Sequence, residues 1–90
     1  MTKHYNITIT GKVQGVWYRK STKETADQLG LVGYVQNLDN GNVYIEAEGA
    51  EAQLNKLVEW CHQGPEFALV ADVKKKEDGL KDFTSFEIKR

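Results

Sequence analysis

The sequence predicts an α+β domain with the element order β-α-β-β-α-β, and three observations carry that prediction. Apolar residues alternate with polar ones in "HYNITIT", in both halves of "VGYVQNLDNGNVYIEAEG" and in "FALVADVKK", the period of half-buried strands. Between these runs lie two stretches of helical period. In the middle of the chain Asp39, Asn40 and Gly41 tolerate positive φ, which is a strong hairpin signal.

The elements follow in order. Tyr5, Ile7 and Ile9 give the first strand its apolar face, and the strand runs into Gly11 and a loop. From about Arg19 the period changes, with Thr22, Ala26 and Leu29 at helical spacing. Gly30 followed by Leu31 predicts a left-handed C-terminal cap with its hydrophobic contact. The hairpin comes next. Leu54, Leu57, Val58 and Cys61 then form the i, i+3, i+4, i+7 stripe of an amphipathic helix, which Gly64-Pro65 ends. "FALVADVKK" reads as a fourth strand, "KEDGLKD" as a polar loop, and "TSFEIKR" as a short last strand with Phe86 and Ile88 on one face.

The hairpin requires antiparallel pairing, and each helix acts as a crossover between strands that end up parallel. Such crossovers are right-handed in about 98% of cases, so both helices cover one face of a mostly antiparallel sheet. This is the ferredoxin-like, split βαβ sandwich. Residues 1–90 are expected to form a single domain, since domains usually run to about 100–150 residues. That topology hosts many activities, so the function has to come from a site.

Composition narrows the choices. With 12 Lys and Arg against 13 Asp and Glu, the net charge of −1 argues against a broad nucleic-acid surface but allows a small anion site. One cysteine, Cys61, rules out an intrachain disulfide and points to a reducing compartment. The opening residues "MTKHYNITIT" hold no apolar secretory core, and no apolar run is long enough to span a bilayer. The expectation is a cytoplasmic protein that engages no membrane.

"TGKVQGVWYRKS", residues 10–21, contains no acidic residue, although the chain has 13. A loop that leaves a strand and starts a helix presents N–H groups that no helical carbonyl can satisfy. Glycines at 11 and 15 let those donors converge into an anion-binding nest at the positive end of a helix dipole. Arg19 adds a planar fork suited to two phosphoryl oxygens. The plainer reading, a glycine loop with a solvated arginine, stays open on composition alone. Asn37 is likewise ambiguous, because an asparagine ahead of "LDNG" is an ordinary turn former.

Together these stretches resemble the two signatures of the acylphosphatase family. "GKVQGVWYR" at 11–19 resembles the first, a glycine, V-Q-G-V, two residues and an arginine. Gly33, Tyr34, Val35, Gln36, Asn37, Gly41, Val43 and Gly49 match the second in its spacing. The resemblance covers nearly the whole chain, with the C-terminal third agreeing only in general pattern.

It implies hydrolysis of the carboxyl–phosphate bond of acyl phosphates, giving a carboxylate and inorganic phosphate. The phosphate cradle would be Gln14, Gly15, Val16, Trp17, Tyr18 and Arg19. Arg19 and Asn37 would be the catalytic residues, with Asn37 holding the attacking water. The family's chemistry implies neither metal nor cofactor. Its partners would be a small acyl phosphate and inorganic phosphate as product and inhibitor, with no nucleic acid, and a monomer is expected. Trp17 and Tyr18 depart mildly from the residues usual at those positions, and one of their rings could narrow access or contact the acyl group.

The remaining features read as structural. Cys61 lies on the apolar stripe and reads as a core thiol. His4 and His62 show no metal-ligand spacing with it. Lys74, Lys75 and Lys76 read as a solvated, edge-protecting end to the fourth strand, and Trp60 as packing. An RNA-recognition module shares the element order but needs stacked aromatics and a basic surface, whereas the third strand follows Tyr44 with Glu46 and Glu48. A regulatory anion-binding domain is the other alternative. Asn37 separates the two, since binding alone does not require it.

Overall fold

The computed structural model describes residues 1–89. Its elements are β1 (Thr2–Lys12), α1 (Tyr18–Gln28), β2 (Val32–Asn37), β3 (Val43–Ala50), α2 (Glu51–Gln63), β4 (Leu69–Asp78) and β5 (Phe86–Lys89). The sheet has the spatial order β4-β1-β3-β2-β5. β3 pairs antiparallel with β1 on one side and β2 on the other, β1 pairs antiparallel with β4, and β5 joins β2 in parallel. This is the predicted split βαβ arrangement, with β1 and β2 parallel to each other across β3.

The helix boundaries follow from their caps. At the end of α1, Leu31 N–H donates to Ala26 O at 2.9 Å and Gly30 N–H to Asp27 O at 3.2 Å. Those two bonds make a Schellman motif, and Leu31 is buried as its hydrophobic contact. α2 ends at Gly64, whose φ of 66° places it in the left-handed region. A Cβ at Gly64 would come within 2.7 Å of the Tyr18 ring, so the close approach of the two segments also needs a glycine.

The helix-side face of the sheet is the core. Tyr5, Ile7 and Ile9 from β1, Val35 from β2, and Val43, Ile45 and Ala47 from β3 meet Leu54, Leu57 and Cys61 of α2. Each such large aliphatic side chain contributes about 1.5–3 kcal/mol by leaving water. Trp60 packs on Tyr18 with ring centroids 5.3 Å apart. Burial pushes the Cys61 thiol up to about 12, as suits a core thiol rather than a nucleophile.

Two boundaries differ from those expected. β1 continues through Gly11 to Lys12, with a register shift against β4 between Thr10 and Gly11. Gly11 therefore belongs to the ladder and not to the curl of the loop. β4 runs past Lys74, Lys75 and Lys76 to Asp78, because β1 extends far enough back for His4 to pair with Asp78. The three lysines are exposed on this edge strand.

The opposite face holds a cluster that the charge pattern did not announce. His4, Glu46 and Glu48, all buried, sit under the segment between β4 and β5. His4 presents Nδ1 to Glu48 Oε2 at 2.8 Å and Nε2 to Glu46 Oε1 at 3.0 Å. The hydroxyls of Tyr34 and Tyr44 donate to Glu46 Oε2 at 2.9 and 2.8 Å, and Lys81 Nζ donates to Glu46 Oε1 at 3.0 Å. Glu48 also accepts the backbone N–H groups of Lys81 and Phe83, so its carboxylate ties down the segment that leads into β5.

Burial works to raise both carboxyls. For Glu46 the bonds from Lys81, Tyr44 and Tyr34 outweigh it, and for Glu48 the bonds from Lys81, His4 and Phe83 do, so both titrate below the ordinary 4.5. Two groups that ionise more readily folded than unfolded stabilise the fold fully above that ordinary value. They lose the contribution as pH falls through their folded values. Urea denaturation is expected to show stability dropping from about pH 5 downward, with a shallower drop in Glu48→Gln. At pH 7 that variant should be less stable by about 1.5–3 kcal/mol, the worth of hydrogen bonds to a charged group.

Candidate active site

β1 and β2 point the same way across β3, so their C-terminal ends lie at the same end of the sheet. The loop after β1 and Asn37, the last residue of β2, therefore arise side by side. Val35 is fully buried against the helices, and Asn37, two residues on, faces the same side. That is the side on which α1 begins.

The loop bends twice into the left-handed region, at Gly15 with φ of 73° and at Trp17 with φ of 66° and ψ of 19°. Trp17 is the N-cap of α1 but supplies no side-chain cap, and the first turn carries no acidic residue. The first hydrogen bond of the helix is Ser21 N–H to Trp17 O at 3.0 Å. Among the described residues, no acceptor takes the N–H groups of Gly15, Val16, Trp17, Tyr18, Arg19 or Lys20. Successive free donors at a helix N-terminus form an anion nest.

The six residues expected to form the cradle have different roles. The Gln14 side chain is engaged elsewhere, its Nε2 donating to Leu38 O and to Asn42 O, both at 2.8 Å. It thereby ties the loop to the hairpin turn that follows Asn37. Val16 and Tyr18 are buried and anchor the loop from below, the Tyr18 hydroxyl donating to Cys61 O at 2.7 Å. Burial raises the Tyr18 phenol well above its usual value, so it stays neutral. Trp17, by contrast, is 72% exposed.

Arg19 lies in the first turn of α1. Its Nη1 donates to Lys89 O at 3.3 Å, a backbone carbonyl on β5. Lys89 stands beside Gln36 in the β2–β5 register, one residue before Asn37, so this bond holds the guanidinium near Asn37. The Asn37 side-chain oxygen is buried and has no hydrogen-bond partner among the described residues. An acceptor held out of water without a donor costs about 1–3 kcal/mol, which is unusual enough to mark a site.

Gly15, Trp17, Tyr18, Arg19 and Asn37 line one cleft of about 390 Å³ together with Val13, Lys20 and Ile88. Among the described residues no acidic side chain, histidine or cysteine lines it, so their side chains make the cleft electropositive and offer neither a nucleophile nor a strong general base. Sequence reasoning assigned no site role to Val13, Lys20 and Ile88. Only the placement of Phe86 and Ile88 on one face hinted that β5 would bring an apolar side chain to the cleft.

The acylphosphatase family profile matches residues 5–88. An acylphosphatase of Marinobacter nauticus is 49% identical over 83 residues, covering 91% of this chain and 90% of that protein. One from Acaryochloris marina is 52% identical over 82 residues, covering 91% and 88%. The crystal structure of acylphosphatase from Bacillus subtilis superposes with a TM-score of 0.95 at 37% identity, covering all of both chains. With the two signature stretches meeting at one cleft and the family profile spanning nearly the whole sequence, the chain belongs to the acylphosphatase family of acyl-phosphate hydrolases.

Proposed function

We propose that the hydrolysis runs on a two-part site, a loop-and-arginine phosphate cradle and a water held by Asn37, without a metal ion. The observation that carries this reading is the place of Asn37 in the same cleft as Arg19 and the free loop amides, with its side-chain oxygen taken by no donor among the described residues. A domain that only bound anions would not need Asn37 beside the cradle.

In this mechanism the phosphoryl oxygens accept from the N–H groups of residues 15–19, and Arg19 spreads two donors over the remaining charge. The side-chain amide of Asn37 both accepts and donates, so it can orient a water in line with the scissile P–O bond. The water oxygen bonds to phosphorus as the bond to the acyl oxygen breaks, and the carboxylate leaves with the bonding pair. A carboxylate is stable enough as a leaving group to need no general acid. The proton of the water passes to a phosphate oxygen, giving inorganic phosphate. Phosphoryl transfer depends mainly on positioning and charge neutralisation, which suits a cleft lined by amides and cations.

The 90 residues are read as one catalytic domain acting as a monomer in the cytoplasm, in keeping with the free, buried Cys61. Its ligands are small acyl phosphates and inorganic phosphate.

With benzoyl phosphate as substrate, Arg19→Ala is expected to abolish turnover and weaken inhibition by inorganic phosphate. Asn37→Ala should lower kcat about 10²–10³-fold while phosphate still inhibits at near-wild-type concentrations. A normal kcat in Asn37→Ala would remove the water-positioning role. Gln14→Ala should retain fold by circular dichroism yet lose at least about tenfold in kcat/KM, because the loop is no longer tied to the turn beside Asn37. Activity should survive exhaustive treatment with EDTA, and its loss with recovery on adding back a divalent cation would exclude the metal-free mechanism.

A further inference from the structure

Trp17 is the residue whose conformation and exposure the fold does not account for. Its φ of 66° is left-handed, a region that a bulky L-residue rarely adopts without a functional reason. Its ring is 72% exposed, while the neighbouring Tyr18 ring is 1% exposed and packed on Trp60. The core therefore gains little from the indole, and a small polar residue would suit the left-handed turn better. Yet Trp17 is one of the residues lining the cleft that contains Arg19 and Asn37, and its ring centroid lies 5.8 Å from the ammonium of Lys20, another of them.

The cleft has more room and more apolar wall than a phosphate needs. Its volume of about 390 Å³ falls in the range, ~300–1,000 Å³, of clefts that take ligands of many atoms. Once the phosphoryl group occupies the loop amides and Arg19, the apolar residues left in the lining are Trp17, Ile88 and the almost fully buried Val13, with the Lys20 ammonium 5.8 Å from the indole centroid. An aromatic face flanked by aliphatic side chains binds a flat, apolar group by stacking and by excluding water. A methyl group has too little surface to use such a platform.

From this we infer that Trp17 is the acyl-specificity residue, and that the preferred substrates are acyl phosphates with a planar aromatic or conjugated acyl group. The inference rests on the two-part hydrolytic site proposed above for its phosphoryl end. The indole acts on the acyl group while the N–H of the same residue serves the cradle, so its effect is read as a ratio between substrates. Any damage to the common phosphate site cancels in that ratio.

The test compares benzoyl phosphate with acetyl phosphate in wild type, Trp17→Asn and Trp17→Phe. Asparagine tolerates the left-handed backbone but offers no ring, whereas phenylalanine keeps one. The benzoyl-to-acetyl ratio of kcat/KM is expected to fall about fivefold or more in Trp17→Asn and to be largely retained in Trp17→Phe, the scale of one lost aromatic contact. A Trp17→Asn ratio within about twofold of wild type overturns the inference, even if both rates fall together.

Calorimetry with phenacylphosphonate and acetonylphosphonate, in which a methylene replaces the bridging oxygen, reads the same preference without turnover. Tighter binding of the phenacyl compound that Trp17→Asn erases supports the platform, and equal binding of the two by wild type overturns it. If wild type hydrolyses neither acyl phosphate but still distinguishes the phosphonates, the hydrolytic mechanism falls and the platform stands.

Discussion

The whole site depends on the way β3 is paired. A strand with antiparallel neighbours on both sides makes those neighbours parallel to each other, so β1 and β2 deliver their C-terminal ends to one end of the sheet. In the register across β3, Ile9, Val43 and Asn37 lie in one row. The loop that begins after Lys12 thus starts a few residues beyond the row that ends in Asn37. No hydrogen bond between the two halves of the site is needed to bring them together, because the backbone ladder does so.

Side chains then refine what the ladder brings close. The two bonds from Gln14 to Leu38 O and Asn42 O join the nest to the hairpin turn, and the bond from Arg19 to Lys89 O joins the helix start to β5. Tyr18 anchors the loop from beneath through Cys61 O and the close fit at Gly64. The buried side chains of Val16 and Tyr18 brace the loop whose amides the proposed mechanism needs preorganised. The buried cluster around Glu46 and Glu48 has a similar part on the other face. By tying down residues 81 and 83 it fixes the path into β5, which supplies Ile88 to the cleft and the Lys89 carbonyl to Arg19.

The proposed site is sparse because the proposed reaction asks for little. A leaving carboxylate needs no proton, and a phosphoryl group carries oxygens able to take one, so the protein is left with positioning and charge. In the mechanism proposed above, a neutral asparagine, an arginine and backbone amides would supply both.

Sequence alone determined the elements, their order and the two stretches that matter. Period-two and period-3.6 patterns are local, the Gly30-Leu31 cap and the Asp39-Asn40-Gly41 turn are set by short-range backbone energetics, and the absence of acid from residues 10–21 needs no folding to be seen. What it left to the tertiary structure was every property that depends on a distant neighbour. Where the Gln14 side chain found its acceptors turned on where residues 38 and 42 came to rest. Trp17 and Tyr18 are adjacent aromatics, yet one is exposed and the other enclosed, because the left-handed turn at Trp17 sends their side chains opposite ways. The burial of His4, Glu46 and Glu48 could not be read locally, since strand alternation tells which residues share a face but not whether a later segment covers that face. The same limit applied to Asn37, a turn former by its local sequence, whose buried oxygen only the packed cleft could reveal.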